Sequence, residues 1–364
     1  MISRIYTLLA SKDLGAAGVE VINVDVPDAI TQIVMRWRCT NVTVSAMLAP
    51  VAACISKIEL IDGSEVLYSL SGRQAQALNY WNQGEMPHTA LSLVVGGYFE
   101  FVCALDFGRW FGDESFWVNP LAHKNLQLKI TWDEDACNTS VVVNSCAVYA
   151  MCMSEVKGNP IGFLCTKNHY TYACNGANHE YIEIDTDRVI KKILIRAEST
   201  DHTPGVLIDT IKLNVDGGKS IPYELKTEDW LEILTLNKKP ITQNITLDAA
   251  VTANTLYTDL SYRQNIKISY DATPFVTAQS KFAVATWTGY ALALAASVDI
   301  KKLDATLTGY IPHGLFPVSQ CDDWDNATWL DWRNKGKAKL DILSTSDSDS
   351  GDTIDVVIES VRPY

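Results

Sequence analysis

The sequence predicts an all-β protein built as two tandem eight-stranded jelly rolls with short helices in their loops. Three observations lead there: period-two hydrophobic alternation along most of the chain, few helical stretches, and a long internal repeat. Alternation turns one face of a strand to a core and the other outward. By that rule "GVEVINVDV" (18–26), "TQIVMRWRCTNVTV" (31–44), "YFEFVCALDF" (98–107) and "NLQLKITWD" (125–133) are half-buried strands. "SVVVNSCAVYAMCM" (140–153) is apolar on both faces, as a strand between layers should be. The second half continues in the same style with "YIEIDTD", "VIKKILIRAES", "DTIKLNV", "AKLDILS" and "TIDVVIESV". Helices are expected only at "GRQAQALNYW" after Ser71 and "KTEDWLEIL" after Leu225. The second of these places acids in the first turn, where the helix dipole favours them.

The repeat is read from two stretches, "KIELIDGSEVLYSLSGRQAQALNYW" (57–81) and "TIKLNVDGGKSIPYELKTEDWLEIL" (210–234). Each alternates and turns at Asp-Gly, at Asp62–Gly63 and at Asp216–Gly217. Each then resumes with a Tyr-containing strand and passes to a polar segment with a Trp. Upstream, "ITQIVMRWRCT" matches "VIKKILIRAES". Downstream, 105–132 matches 314–343, each an acidic, Trp-rich loop leading to a strand with Leu-x-Ile. The offset grows from 153 residues (Ile58 to Ile211) to 212 (Ile130 to Ile342), so the second copy is 59 residues longer. The organisation predicted is therefore a first roll over 1–157, a Gly-, Pro- and Asn-containing connection over 158–180, and a second roll over 181–364. The extra text, about 239–312, holds strand-like segments and is expected to form a tower at a loop end.

This succession of strand, Asp-Gly turn, strand, helix and Trp-rich loop, written twice, resembles the double jelly-roll major capsid proteins of icosahedral viruses with an internal membrane, in the corticovirus and tectivirus style. The stretches that carry it are "ISKIELIDGSEVLYSLSG", "LDFGRWFGDESFWVNPLAHKNLQLKIT", "DTIKLNVDGGKSIPYEL" and "LFPVSQCDDWDNATWLDWRNKGKAKLDIL". The resemblance implies a non-enzymatic subunit of a virion capsid, synthesised in host cytoplasm. Three chains would form a pseudo-hexagonal block that tiles a shell over a membrane vesicle. Its partners would be copies of itself, neighbouring capsomers, and minor capsid or vertex proteins. The rival readings are a tandem jelly-roll carbohydrate-binding protein or glycoside hydrolase, and a minor spike or vertex protein.

Charge agrees with a partner other than nucleic acid. The net charge of −13 opposes coating of a phosphate backbone, which needs clustered Lys and Arg. "MISRIYTLLASKD" lacks the apolar core and cleavage site of a secretory leader, and the apolar run 283–298 is too short to span a bilayer as a helix. The nine cysteines include no CxxC pair and are expected as buried, reduced thiols.

Few residues suggest chemistry. Trp110, Trp117, Trp329 and Trp332 stand beside carboxylates in the two Trp-rich loops. Such neighbours suit a sugar site, with Asp113, Glu114, Asp322, Asp323 and Asp325 as its acids. One loop per roll at the same place suits structural anchors better. Asp347, Asp349 and Asp352 alternate along "STSDSDSGDT" (344–353) as weak ligands for a structural Ca2+, but without the distal Glu of an EF-hand. No other cofactor is expected. "GGKS" at 217–220 lacks the glycine and the following helix of a P-loop, and is expected as a hairpin turn. "RVIKKILIR" is expected to carry Lys191 and Arg196 on a solvated strand face.

Overall fold

The structure, a computed structural model, describes residues 2–364 except 42–48, 95, 138–140, 200–201, 237, 249–253, 273–282, 289–290, 297–299, 320–323 and 350. The first roll contains β1 (Ile2–Asp13), β2 (Ala17–Asn23), β3 (Ala29–Asn41), β4 (Ile55–Asp62), β5 (Glu65–Leu70), α1 (Gly72–Gln83), β6 (Thr89–Leu93), β7 (Tyr98–Asp106), β8 (Leu126–Asp133) and β9 (Val141–Ser154). Its sheets run β1-β9-β3-β7 and β2-β8-β4-β5, the interleaved order of a jelly roll.

The second roll opens with β10 (Gly162–Cys174), β11 (His179–Ile184), β12 (Ile190–Glu198), α2 (Pro204–Leu207), β13 (Ile208–Val215), β14 (Ser220–Lys226) and α3 (Thr227–Thr235). Six inserted strands follow: β15 (Ile241–Asp248), β16 (Asn254–Tyr257), β17 (Leu260–Ala272), β18 (Ala283–Thr288), β19 (Ala291–Ala296) and β20 (Ile300–Pro312). The roll closes with β21 (Leu315–Pro317), β22 (Ala338–Ser344) and β23 (Asp352–Pro363). Its sheets, β10-β23-β12-β21 and β11-β22-β13-β14, repeat the first roll strand for strand.

The match reaches single residues. Ile58 lies opposite Ile130 in the first roll, and Ile211 opposite Ile342 in the second. A bulge between Ile30 and Gln32 on β3 recurs between Ile190 and Lys192 on β12. Alternation supplies the layers: β8 and β22 each bury every other residue, with Leu126, Leu128, Ile130 and Trp132 inward on β8. The apolar cluster runs unbroken through both rolls, from Ile33, Trp37 and Phe101 to Ile193, Leu340 and Val356. Each such side chain contributes about 1.5–3 kcal/mol by leaving water.

The opening residues form a strand of the first roll: β1 pairs with β9 from Ile2–Ser154 to Asp13–Ser145. Two expectations are corrected. The 158–180 connection is largely β10, whose register with β23 runs from Gly162–Pro363 to Cys174–Asp352. Its alternation is weak because its first five residues are all buried where the rolls meet. There it also touches β5 in parallel at Lys167–Ser69. The insertion, finally, is more than a loop-end tower. Strand β15 pairs in parallel with β6 of the first roll, so β15-β20-β17 extend that roll's sheet sideways. Strand β6 is antiparallel to β7, which leads into the first Trp-rich loop. The far end of β15 therefore points away from that loop. The three-stranded sheet β16-β19-β18 follows it, and part of the insertion lies outside the described residues.

Candidate functional site

Helix α1 is the joint between the rolls. Ser71 caps it: the hydroxyl accepts from Gln74 N–H (3.2 Å) and the Gln74 side-chain Oε1 accepts from Ser71 N–H (3.0 Å). Gly84, at φ 80°, ends it in a left-handed conformation that a glycine adopts without strain. On one side Asn79 exchanges two 2.8 Å hydrogen bonds with the Ala104 backbone of β7. On the other side the helix meets the second roll. Gln74 donates to Asp355 (2.8 Å), Trp81 Nε1 donates to the Leu315 carbonyl (2.8 Å), and Arg73 pairs with Glu198.

Charges fill this joint. Lys191 Nζ is 3.2 Å from Glu359, Lys192 Nζ donates to Asn82 (2.7 Å), and Arg196 donates to Asp355 (2.9 Å). All of these residues are buried. The expected solvated face of 188–196 is thus an interior polar network. A buried charge without its partners costs several kcal/mol, so the network fixes one geometry between the rolls. Sequence reasoning missed it because Lys191 and Lys192 are adjacent and obey no alternation; the bulge at this point turns both toward α1.

The Trp-rich loops divide. Trp117, Trp329 and Trp332 are buried. Trp117 and Trp329 precede residues that bridge to strand starts, Val118 to Ile30 and Leu330 to Ile190. Trp110 is not an interior anchor. It is 40% exposed and stacks at 5.4 Å on Trp324, itself 56% exposed. The reason is Arg109, whose guanidinium covers the Trp110 ring and donates to the Trp324 carbonyl (2.9 Å), holding the pair at the rim. Beside them lies a cleft of about 290 Å³ lined by Gln32, Asn82, Gln83, Asp106, Arg109 and Phe111.

The loop acids serve structure. Asp113 is buried, clamped by Arg109 at 2.8 and 3.0 Å, and accepts from the Ser115 amide. Asp325 caps a short turn by accepting from Ala327 N–H. Asp322 and Asp323 lie outside the described residues. The aspartates near the last strand do not converge: Asp352 is buried and accepts from Asp349 N–H (2.8 Å), inside its own turn. Among the described residues no group of three or more His, Cys, Asp or Glu could hold a metal ion. Both Asp-Gly positions form hairpins. Gly63 has φ 61°, and Asp216, Gly217 and Gly218 are all left-handed, so "GGKS" belongs to a turn. Eight cysteines are buried free thiols, and Cys321 lies outside the described residues.

No family model matches the chain, and no curated protein matches it. Solved structures do. The STIV MCP matches with a TM-score of 0.58 at 12% identity, over 100% of this chain and 98% of that one. The PBCV-1 virus capsid matches at 0.55 and 11% identity, over 98% and 93%. A chain of the Sulfolobus Turreted Icosahedral Virus structure matches at 0.53 and 13%, over 100% and 91%. The chain has the double jelly-roll fold of major capsid proteins. At these identities the likeness speaks for the fold alone.

Proposed function

We propose that the protein is a structural subunit of a viral capsid. Three chains form a pseudo-hexagonal capsomer of an icosahedral shell over an internal membrane, in a bacterial virus, with synthesis in host cytoplasm. The observation that carries the reading is a two-roll likeness to capsid proteins spanning 98–100% of the chain. The rigid polar joint supports it, because a tile must hold its two halves at one angle. The insertion extends away from the Trp rim, so it is assigned to the outer surface and the rim to the membrane side. Minor capsid or vertex proteins are further partners in this reading. The test is the native mass of the purified chain. Three copies of a 40.2 kDa chain give about 120 kDa, whereas a monomer at every concentration and salt contradicts it.

A carbohydrate-binding role is the second reading, favoured by one observation: the exposed Trp110–Trp324 pair beside a polar cleft. Retention on a glycan column that is lost in Trp324→Ala supports it. Passage without retention removes it.

A further inference from the structure

The internal symmetry of the chain locates a contact between copies. Aligning the helix caps Ser71 and Lys226 pairs each α1 residue with the α3 residue 155 positions later. Aligning the bridging residues Ile30 and Ile190 pairs β3 with β12 at an offset of 160, and the shared bulge confirms that register. Inside the chain α1 of the first roll rests on β12 and β23 of the second. The counterpart surfaces are the outer face of α3, with Glu228, Asp229 and Ile233 exposed, and the β3–β9 face of the first roll, where Arg36, Arg38 and Met151 are half-buried around a buried Ala147.

The chemistry of those counterparts is complementary, with the signs reversed. Arg73 on α1 pairs with Glu198 on β12. The counterpart of Arg73 is Glu228 and that of Glu198 is Arg38. Glu228 is exposed on α3, and the Arg38 side chain is 40% exposed while it pairs with Glu100. Gln74 meets Asp355, which sits across from Arg196. The counterpart of Asp355 is Ala147, across from Arg36. Arg36 therefore lacks the carboxylate that Arg196 has, and its Nε is buried without a hydrogen-bond partner. The counterpart of Gln74 is Asp229, an exposed acid. Apolar surface accompanies the charges. Leu236, counterpart of the buried Trp81, is 77% exposed, with Ile233 and Val206 exposed nearby. On the other face Ile5 is 65% exposed and lies across from the half-buried Met151.

Resting on the capsomer reading, we infer that α3 of one copy docks on the β3–β9 face of a second copy, with Glu228 against Arg38 and Asp229 against Arg36. The contact repeats head to tail the arrangement that α1 makes within the chain, as a heterologous interface that closes a ring.

The test is charge exchange in the full-length chain, read by analytical ultracentrifugation. Arg38→Glu and Glu228→Arg should each weaken association by about tenfold or more, and the double variant should recover most of it. Leu236→Asp, at a position exposed in the single chain, should weaken association without moving the melting temperature of the dissociated chain. It decides the matter if a charge variant does not fold. Should the wild type associate and all of these variants associate equally well, this contact is wrong and the capsomer reading stands. Should the wild type fail to associate at all, both are wrong.

Discussion

Helices α1 and α3 occupy the same place in the two rolls and are built for different surroundings. α1 has buried residues on every side, and its Gln74, Gln76, Asn79 and Asn82 lie in the interior. α3 is amphipathic: Trp230, Leu231 and Leu234 face inward, and Trp230 Nε1 donates to the Pro317 carbonyl (2.7 Å). Its outer face carries Glu228, Asp229 and Ile233. One sequence position thus encodes an interior joint in one copy and a solvent-facing surface in the other. Polar side chains on a helix are not a sign of exposure when a second charged surface, here β12 and β23, is folded onto them.

That contrast can be broken at several points. The largest effect is expected at the joint. Glu359→Ala leaves Lys191 buried without its carboxylate and should cost about 3–5 kcal/mol in denaturant unfolding. Met151→Ala, at the equivalent half-buried position of the first roll, should cost clearly less. Equal losses would mean that the joint's charges are not what holds the rolls.

The Trp-rich loops give the next test. Trp117→Ala and Trp329→Ala each empty a buried site and should cost about 3–5 kcal/mol. Trp110→Ala removes a half-exposed ring and should cost about 1 kcal/mol or less. A stable Trp329→Ala protein would show that this loop is not an anchor.

A smaller effect concerns pH. Asp259 is buried beside His313 Nδ1 (3.8 Å) and accepts from Gln243 (3.0 Å). Burial raises its carboxyl from 3.8 to about 7, and burial holds the His313 imidazole well below its usual range. A carboxyl raised on folding is protonated in the folded chain while the unfolded chain ionises. Stability is therefore lost as pH rises from about 4 to about 7, and the penalty then stays constant. Asp259→Asn should raise stability by about 2–4 kcal/mol at pH 8 and change little at pH 4. A gain equal at both pH values would contradict this.

Much of the fold was legible because period-two alternation and Asp-Gly turns are local signals. The repeat aligned Ile58 with Ile211 and Ile130 with Ile342, and in the sheets Ile58 faces Ile130 just as Ile211 faces Ile342. What was not legible depends on partners distant in sequence. β1 is an edge strand and β10 lies at the seam between the rolls, between β5 and β23, where burial follows neighbours more than pattern. β15 looked like free insertion text because its partner, β6, is a short strand of the other roll. Lys191 and Arg196 looked solvated because nothing local announces the Asn82, Glu359 and Asp355 that receive them. Trp110 and Trp117 differ by seven positions in one loop, and only the close packing beneath Trp117 separates an anchor from a rim.

The contrast between the two helices is tested most directly by hydrogen exchange on the wild-type chain, dissociated and associated. Amides of α1 should exchange slowly in both states, since their cover lies within the chain. Amides of α3 should gain protection only on association, together with those of β3 and β9. Exchange in α3 that is the same in both states would contradict the account.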